Sequence, residues 1–262
     1  MELMFIIMLG IVFFLIATVV SMFGKGGGDF YVPLMVTFGM GFQESASISL
    51  FVLMSCGIMM TAVYRKKNMI DWKLSTIVII SSATGSFIGG YISADFNPAI
   101  LKLIFSFLLV VSASLLYKMP DLSGKFDKGI IWHRKCCSYE YDVPILVIVP
   151  LAFIIGLLAG MVGIAGGSII VPMMIILAAV PMRIAFATNS IIVLFTSTTA
   201  FAGHGLNTSI DWIPAITLSL FAAVGSLTGS TFSSRLKKEN LKSIFVVIII
   251  IAALWMLLKI FV

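Results

Sequence analysis

The chain has 262 residues, 60% of them hydrophobic and 11% charged, with mean hydropathy +1.16, whereas a water-soluble domain carries about 25% charged residues. Such a chain cannot cover itself with polar surface in water, which excludes a soluble fold and makes the lipid bilayer its solvent. The formal charge of +6 does not imply nucleic acid, because the basic residues sit in short segments between apolar stretches and form no run interleaved with aromatics.

The N-terminal MELMFIIML contains Glu2 and no Lys or Arg. It therefore lacks the basic region of a signal peptide and reads as the first membrane segment. Apolar stretches long enough to span as helices follow at 3–23, 45–64, 74–94, 99–117, 143–162, 184–203, 213–233 and 241–262. Two shorter apolar pieces, 30–39 and 169–180, follow glycine clusters and cannot cross about 30 Å of hydrocarbon. They read as half-helices. The expected fold is an all-α integral membrane protein, a polytopic bundle of about eight spanning helices plus two short half-helices. Cys56 lies in an apolar helix and Cys136 and Cys137 are neighbours in the central polar stretch, so no disulfide framework is expected. That pair and His133 are too few ligands for a thiolate metal site, and no cofactor is expected.

The two halves of the chain repeat one another. GKGGGDFYVPLM from Gly24 aligns with GIAGGSIIVPMM from Gly163, matching Gly27, Gly28 and Pro33 to Gly166, Gly167 and Pro172. One residue of slippage later, Ile70-Asp71-Trp72 matches Ile210-Asp211-Trp212, Gly85-Ser86 matches Gly225-Ser226, Gly89 matches Gly229, and Leu101-Lys102 matches Leu241-Lys242. Matches in constant order across both halves indicate a tandem duplication: residues 1–118 and 143–262, joined by the linker 119–142. With the loops after Tyr64, Tyr117 and Ser233 on one side, nearly all Lys and Arg fall there, and the other side keeps Lys102 and Lys259. The positive-inside rule makes the crowded side cytoplasmic, with both termini outside the cytoplasmic membrane and the two repeats inverted.

Inverted repeats with interrupted helices are the architecture in which a central site can face either side in turn. Irregular backbone at membrane depth is tolerated only where it is buried in protein or lines a cavity, so the glycine clusters mark that site. The candidate substrate-binding residues are Gly24, Lys25, Gly26, Gly27, Gly28 and Asp29 in the first half, and Gly163, Gly166, Gly167 and Ser168 in the second. Asp29 and Ser168 read as N-caps of the half-helices. Two helix N-termini directed at one centre suit an anion, and Lys25, whose counterpart is Ile164, adds a cation. Lys25 serves either as the anion's partner, the favoured reading, or as an internal partner of Asp29. The plainer account of the glycines is close helix crossing. Ser49, Thr188, Asn189 and Ser190 put hydroxyls and one amide on the helices that follow, where they either bond a ligand or bond helices to one another. Glu44 and Arg183 read as interfacial groups on opposite faces, Asp71-Trp72 and Asp211-Trp212 as caps with interfacial anchors, and His204 as a solvated loop histidine on the outer side.

In the paired GKGGGDFYVP and GIAGGSIIVP motifs, and in Ala46 with Ser49 and Ala185 with Thr188, Asn189 and Ser190, the chain resembles the sulfite exporter TauE/SafE family, also described as a toluenesulfonate uptake permease family. The resemblance covers essentially the whole chain. It implies secondary transport of sulfite, organosulfonates such as sulfoacetate, or related small anions. A channel of the same architecture is the alternative, and no motif of an intramembrane enzyme is present. A coupling proton or cation and a homodimer are left open. With cysteines introduced singly at Ser123 and Thr208, in a background lacking Cys56, Cys136 and Cys137, an impermeant thiol reagent is expected to label the two from opposite faces of the membrane.

Overall fold

The computed structural model describes residues 3–118, 131–137, 139–207 and 210–233. In chain order they form α1 (Leu3–Val20), α2 (Gly28–Thr37), α3 (Phe42–Lys66), α4 (Trp72–Ile92), α5 (Pro98–Lys118), β1 (Ile131–Cys136), β2 (Tyr139–Pro144), α6 (Ile145–Val162), α7 (Gly167–Ala178), α8 (Met182–Gly205) and α9 (Trp212–Phe232). Seven of these helices, all except α2 and α7, are long and apolar enough to cross a membrane. The expected eighth span at 241–262, the labelling positions Ser123 and Thr208, and the basic residues Lys125, Lys128, Arg235, Lys237, Lys238, Lys242 and Lys259 lie outside the described residues. The fold is a polytopic helical membrane bundle.

Backbone contacts fix the direction of each helix. Methyl groups on Gly225 and Gly229 of α9 would stand 2.3 Å from Phe14 O and 2.0 Å from Thr18 O of α1, so these helices are parallel. Methyl groups on Gly85 and Gly89 of α4 would likewise meet Phe153 O at 2.3 Å and Leu157 O at 2.0 Å, making α4 and α6 parallel. Between α3 and α8 the order reverses: the Phe51 and Phe201 rings are 5.4 Å apart, while Gly57, further along α3, abuts Leu194, earlier on α8. The remaining contacts make α4 parallel to α8 (Asp71 with Thr188, Gly203 with Phe87) and α3 parallel to α9 (Phe51 with Trp212, Lys67 with Ser230). Thus α1, α3 and α9 run one way and α4, α6 and α8 the other. Among the described helices α1, α3 and α4 run antiparallel to their counterparts α6, α8 and α9, which is the inverted relation.

The short helices start nearer the glycines than the apolar pieces suggested. A ten-residue α2 is about 15 Å long and a twenty-five-residue α3 about 37 Å. The turn before α2 touches Leu53, midway along α3, and the first residue of α7, Gly167, touches Val193, midway along α8. Both half-helices therefore begin at mid-depth and run back toward a face.

The linker is not a plain loop. Strands β1 and β2 pair antiparallel from Ile131 with Pro144 to Cys136 with Tyr139, and the hairpin rests on the α3–α4 connection through Asp71. The Asp71 carboxylate caps α4 by accepting from the N–H groups of Lys73 and Leu74, both at 3.1 Å, and it also takes Arg134 Nη2 at 2.6 Å and the Tyr141 hydroxyl. Burial alone would raise this carboxyl, but the hydrogen bonds from Arg134, Tyr141 and Leu74 outweigh it and hold its pKa below the usual carboxylate range. Its counterpart Asp211 caps α9 through Ile213 N at 3.1 Å. The hairpin face carries Arg65, Lys66, Lys67, Lys73, Arg134, Lys135 and Arg183, with Glu140 and Asp142 on the hairpin, and the opposite face carries Glu44, Asp95 and Asp211 with Lys102.

Close crossing makes the glycines of α4 and α9 structural. Gly89→Val is expected to destabilise the protein by about 1–3 kcal/mol or more, because a Cβ there overlaps Leu157 O. Gly205→Ala, where nothing lies within 4 Å, is expected to leave thermal unfolding in detergent unchanged.

Candidate functional site

The site is built where the two interrupted helices meet. After α1 a 3₁₀ turn at Ser21–Phe23 leads into Gly24, with φ +66°, and the chain reverses through Gly26 and Gly27 before α2 starts. The second half repeats this path through Gly163 and Gly166 into α7. The cap positions are Gly27, at φ +104°, and Gly166, at φ +72°, a conformation that side chains with a Cβ rarely adopt. The expectation that Asp29 and Ser168 cap these helices is therefore corrected. Both are the second residue inside their helix, and their side chains are engaged elsewhere.

They are engaged with each other. Ser168 Oγ donates to Asp29 Oδ1 at 2.5 Å, which joins the first turns of the two half-helices. The other Asp29 oxygen takes the Lys25 ammonium in an ion pair whose side chains are 2% exposed on both sides. Of the two readings of Lys25, the internal partnership with Asp29 is the geometry present. A buried charge is tolerated only when compensated in this way.

The loop carbonyls are satisfied across the repeats. Asn189 Nδ2 on α8 donates to Gly24 O at 2.7 Å, and Ser49 Oγ on α3 donates to Gly163 O at 2.8 Å. Each half thus completes the first carbonyl of the other half's loop. Two residues further on, Tyr31 OH donates to Gly26 O at 2.6 Å and Thr196 Oγ1 to Ala165 O at 3.0 Å. Gly24 is pressed so closely on α8 that a methyl there would lie 1.9 Å from Phe186 O. Gly28 and Gly167 open the half-helices against Leu53 and Asn189.

Asn189 differs from the other polar groups of this centre. Its amide is oriented by Gly24 O, which must face the NH₂ side, and its Oδ1 is fully buried with no hydrogen-bond partner among the described residues. This oxygen is an acceptor for which no described residue supplies a donor. Thr188 and Ser190 do not join the centre. Thr188 Oγ1 accepts from Asp71 N at 3.1 Å, and Ser190 Oγ donates to Ala187 O at 2.6 Å.

Two cavities flank this closed centre. One of about 360 Å³ at the hairpin face is lined by Lys67, Asn68, Cys137, Pro181 and Arg183 among others. One of about 550 Å³ at the opposite face includes Gln43, Glu44 and Asp211 in its wall. Lys25, Asp29 and Asn189, at 3%, 1% and 0% exposure, are sealed from both. Glu44 and Arg183 stand on opposite faces, as their sequence positions suggested.

A family model described as sulfite exporter TauE/SafE matches residues 9–256, the glycine loops and their surrounding helices included. The chain belongs to this family. It is 30% identical to the probable membrane transporter protein YunE of Bacillus subtilis (strain 168), with 96% of each chain covered. It is 26% identical to the probable membrane transporter protein MJ0441 of Methanocaldococcus jannaschii, over 95% of this chain and 94% of the relative. No solved structure matches it. Membrane transport of a small molecule is the general activity that the TauE/SafE family and these relatives support.

Two features of this TauE/SafE chain escaped the sequence. His204 is not a solvated loop residue: it lies in the last turn of α8, fully buried, with Nε2 2.9 Å from Gly160 O and Nδ1 3.3 Å from Ser93 Oγ. Of its flanking glycines Gly203 marks a helix crossing, since a methyl there would lie 2.4 Å from Phe87 O. Ser112 on α5 donates to Ser168 O at 2.5 Å, the carbonyl four residues before Pro172, which has no N–H to return to it. The prolines at corresponding places in the two halves were the available signal for such a donor.

The ion pair gives a stability test. Lys25→Met and Asp29→Asn are each expected to lower stability by about 3–5 kcal/mol by leaving one buried charge uncompensated. The double variant is expected to recover most of the loss in detergent melting curves, a coupling that independent sites would lack.

Proposed function

We propose that this protein is a secondary transporter of small anions in the cytoplasmic membrane, most simply sulfite or an organosulfonate such as sulfoacetate, working by alternating access. The observation that carries the reading is the meeting of two half-helix first turns at mid-depth, joined by Ser168 and Asp29 with Lys25 beside them. Helix N-termini supply partial positive charge and backbone donors, and a sulfite or sulfonate group presents acceptor oxygens to them. Lys25, Ser168 and the glycines Gly27 and Gly166 are the proposed ligand-facing groups; the unpartnered Asn189 Oδ1 is an acceptor and cannot bond an anion's oxygens. A centre buried away from both flanking cavities corresponds to an occluded carrier state, which a continuously open channel does not require.

Asp29 gives the anion and a coupling proton a common mechanism. While its carboxylate is charged, it neutralises Lys25. A proton on Asp29 removes that claim and leaves the ammonium for the entering anion, so one proton accompanies one negative charge. The basic hairpin face is the cytoplasmic one in this reading, by the positive-inside rule.

Counterflow in proteoliposomes loaded with sulfite, with sulfoacetate, taurine and sulfate as competitors, tests the proposal. A carrier is expected to show saturation and transient uphill exchange, and flux without counterflow would favour the channel. Lys25→Met is expected to weaken anion binding at least about tenfold, the effect of about 1.4 kcal/mol, while Asp29→Asn retains binding and loses the pH dependence of flux. Gly27→Val is expected to abolish transport, since its φ of +104° and the Tyr31 hydroxyl leave a branched side chain no place.

A further inference from the structure

Cys136 and Cys137 are not used by the transport reading, yet their placement is specific. Adjacent residues of an extended strand point to opposite faces, which keeps their side chains apart. Here β1 ends at Cys136 and Cys137 turns into the left-handed region at φ +52°, so its side chain folds back over its neighbour. The two sulfurs come to 2.9 Å, both are free thiols, and both residues are half-buried. Cys137 lines the hairpin-face cavity together with Lys67 and Arg183, and its thiol donates to Asn68 O at 3.1 Å. That contact fastens the hairpin tip to the α3–α4 connection, apart from the Asp71 clamp at the middle of the hairpin.

We propose that Cys136 and Cys137 are a reversible modification site, a vicinal dithiol that low-molecular-weight disulfides oxidise to an intramolecular disulfide, and that closing this bond unfastens the hairpin tip from Asn68. The exchange proceeds in two steps. Cys137, the sulfur on the cavity wall, loses its proton and attacks one sulfur of the small disulfide, forming a mixed disulfide and expelling one thiolate. Cys136 then loses its proton and attacks the Cys137 sulfur, closing the ring and expelling the second thiolate. In balance, two protein thiols and one small disulfide become one protein disulfide and two small thiols. The cationic Lys67 and Arg183 in the same wall favour an anionic disulfide such as oxidised glutathione. Burial pushes the Cys136 thiol up to about 12, which makes it the poorer first nucleophile and leaves it the second step, where the short approach raises its effective concentration.

Closure removes the Cys137 hydrogen that Asn68 O accepts. The Asp71 bonds to Arg134 and Tyr141 involve no sulfur, so the hairpin stays docked at its middle while its tip comes free. A disulfide between neighbours is strained, and strained disulfides are the readily reduced ones, which suits a reversible mark.

The full-length protein in lipid nanodiscs, treated with oxidised glutathione and read by intact mass and peptide mapping, tests this without reference to any transported solute. The wild type is expected to lose two hydrogens, keep no glutathionyl group, and return to its starting mass with dithiothreitol. Cys136→Ser is expected to hold a glutathionyl group on Cys137, and Cys137→Ser to stay largely unmodified. Hydrogen exchange at residues 66–69 and 139–141 is expected to rise in the oxidised wild type and to be unchanged in Cys137→Ser after the same treatment. A stable glutathionyl adduct on the wild type, a wild type and Cys136→Ser that both stay unmodified, or exchange that is the same in oxidised and reduced protein would overturn the proposal.

Discussion

Hydrocarbon offers no hydrogen bonds, so every amide at membrane depth must find its partner in the protein. The architecture follows from that constraint. Long helices satisfy it internally, but the two glycine turns cannot, because their residues leave the helical conformation. The carbonyls of Gly24, Gly26, Gly163 and Ala165 are each met by a side-chain donor, from Asn189, Tyr31, Ser49 and Thr196. At these four carbonyls, where the backbone departs from a helix at mid-depth, a polar side chain stands opposite. The polar groups of the core are therefore mainly structural, and the ones left over define the candidate site.

What is left over is asymmetric. The two halves match in fold and in their glycines, yet Lys25 faces Ile164 in the alignment and Asp29 faces Ser168. The pseudo-symmetric position thus holds a carboxylate on one side and a hydroxyl on the other, so that one accepts what the other donates. Two carboxylates there would repel and two hydroxyls would leave Lys25 without its anion. The same divergence separates Asp71, held by Arg134 and Tyr141 of the hairpin, from Asp211, which caps its helix alone among the bonds described. The paired turn glycines have stayed equal, and positions with charge have specialised.

The seven described spans, the half-helices and the inverted relation of α1, α3 and α4 to α6, α8 and α9 were legible in the sequence because each rests on local composition or on glycine spacing, and neither depends on a distant partner. The glycine clusters located the candidate centre for the same reason. The roles of Asp29 and Ser168 were not legible: an acidic or hydroxyl residue at a helix start has the pattern of a cap, and only the turn geometry shows that Gly27 and Gly166 occupy that position. His204 was misread because its glycine neighbours suggested a loop, whereas Gly203 is small so that α4 can approach. Thr188 and Asn189 are adjacent and equally polar, yet one holds Asp71 N and the other Gly24 O. A pairing across more than a hundred residues leaves no trace in one sequence.

The exchange of carbonyl partners between halves also bears on how the chain is made. Residues of the first half leave the ribosome and enter the bilayer before Asn189 exists, so the turn at Gly24 must wait with an unanswered carbonyl. It is completed only when α8 arrives. The first half is consequently left open at its centre until then, and a helix made much later, α8, closes the turn made first. A gene encoding one half alone would face the same need and could meet it only with a second copy in the opposite orientation, which is the antiparallel pair that the present chain contains within one polypeptide.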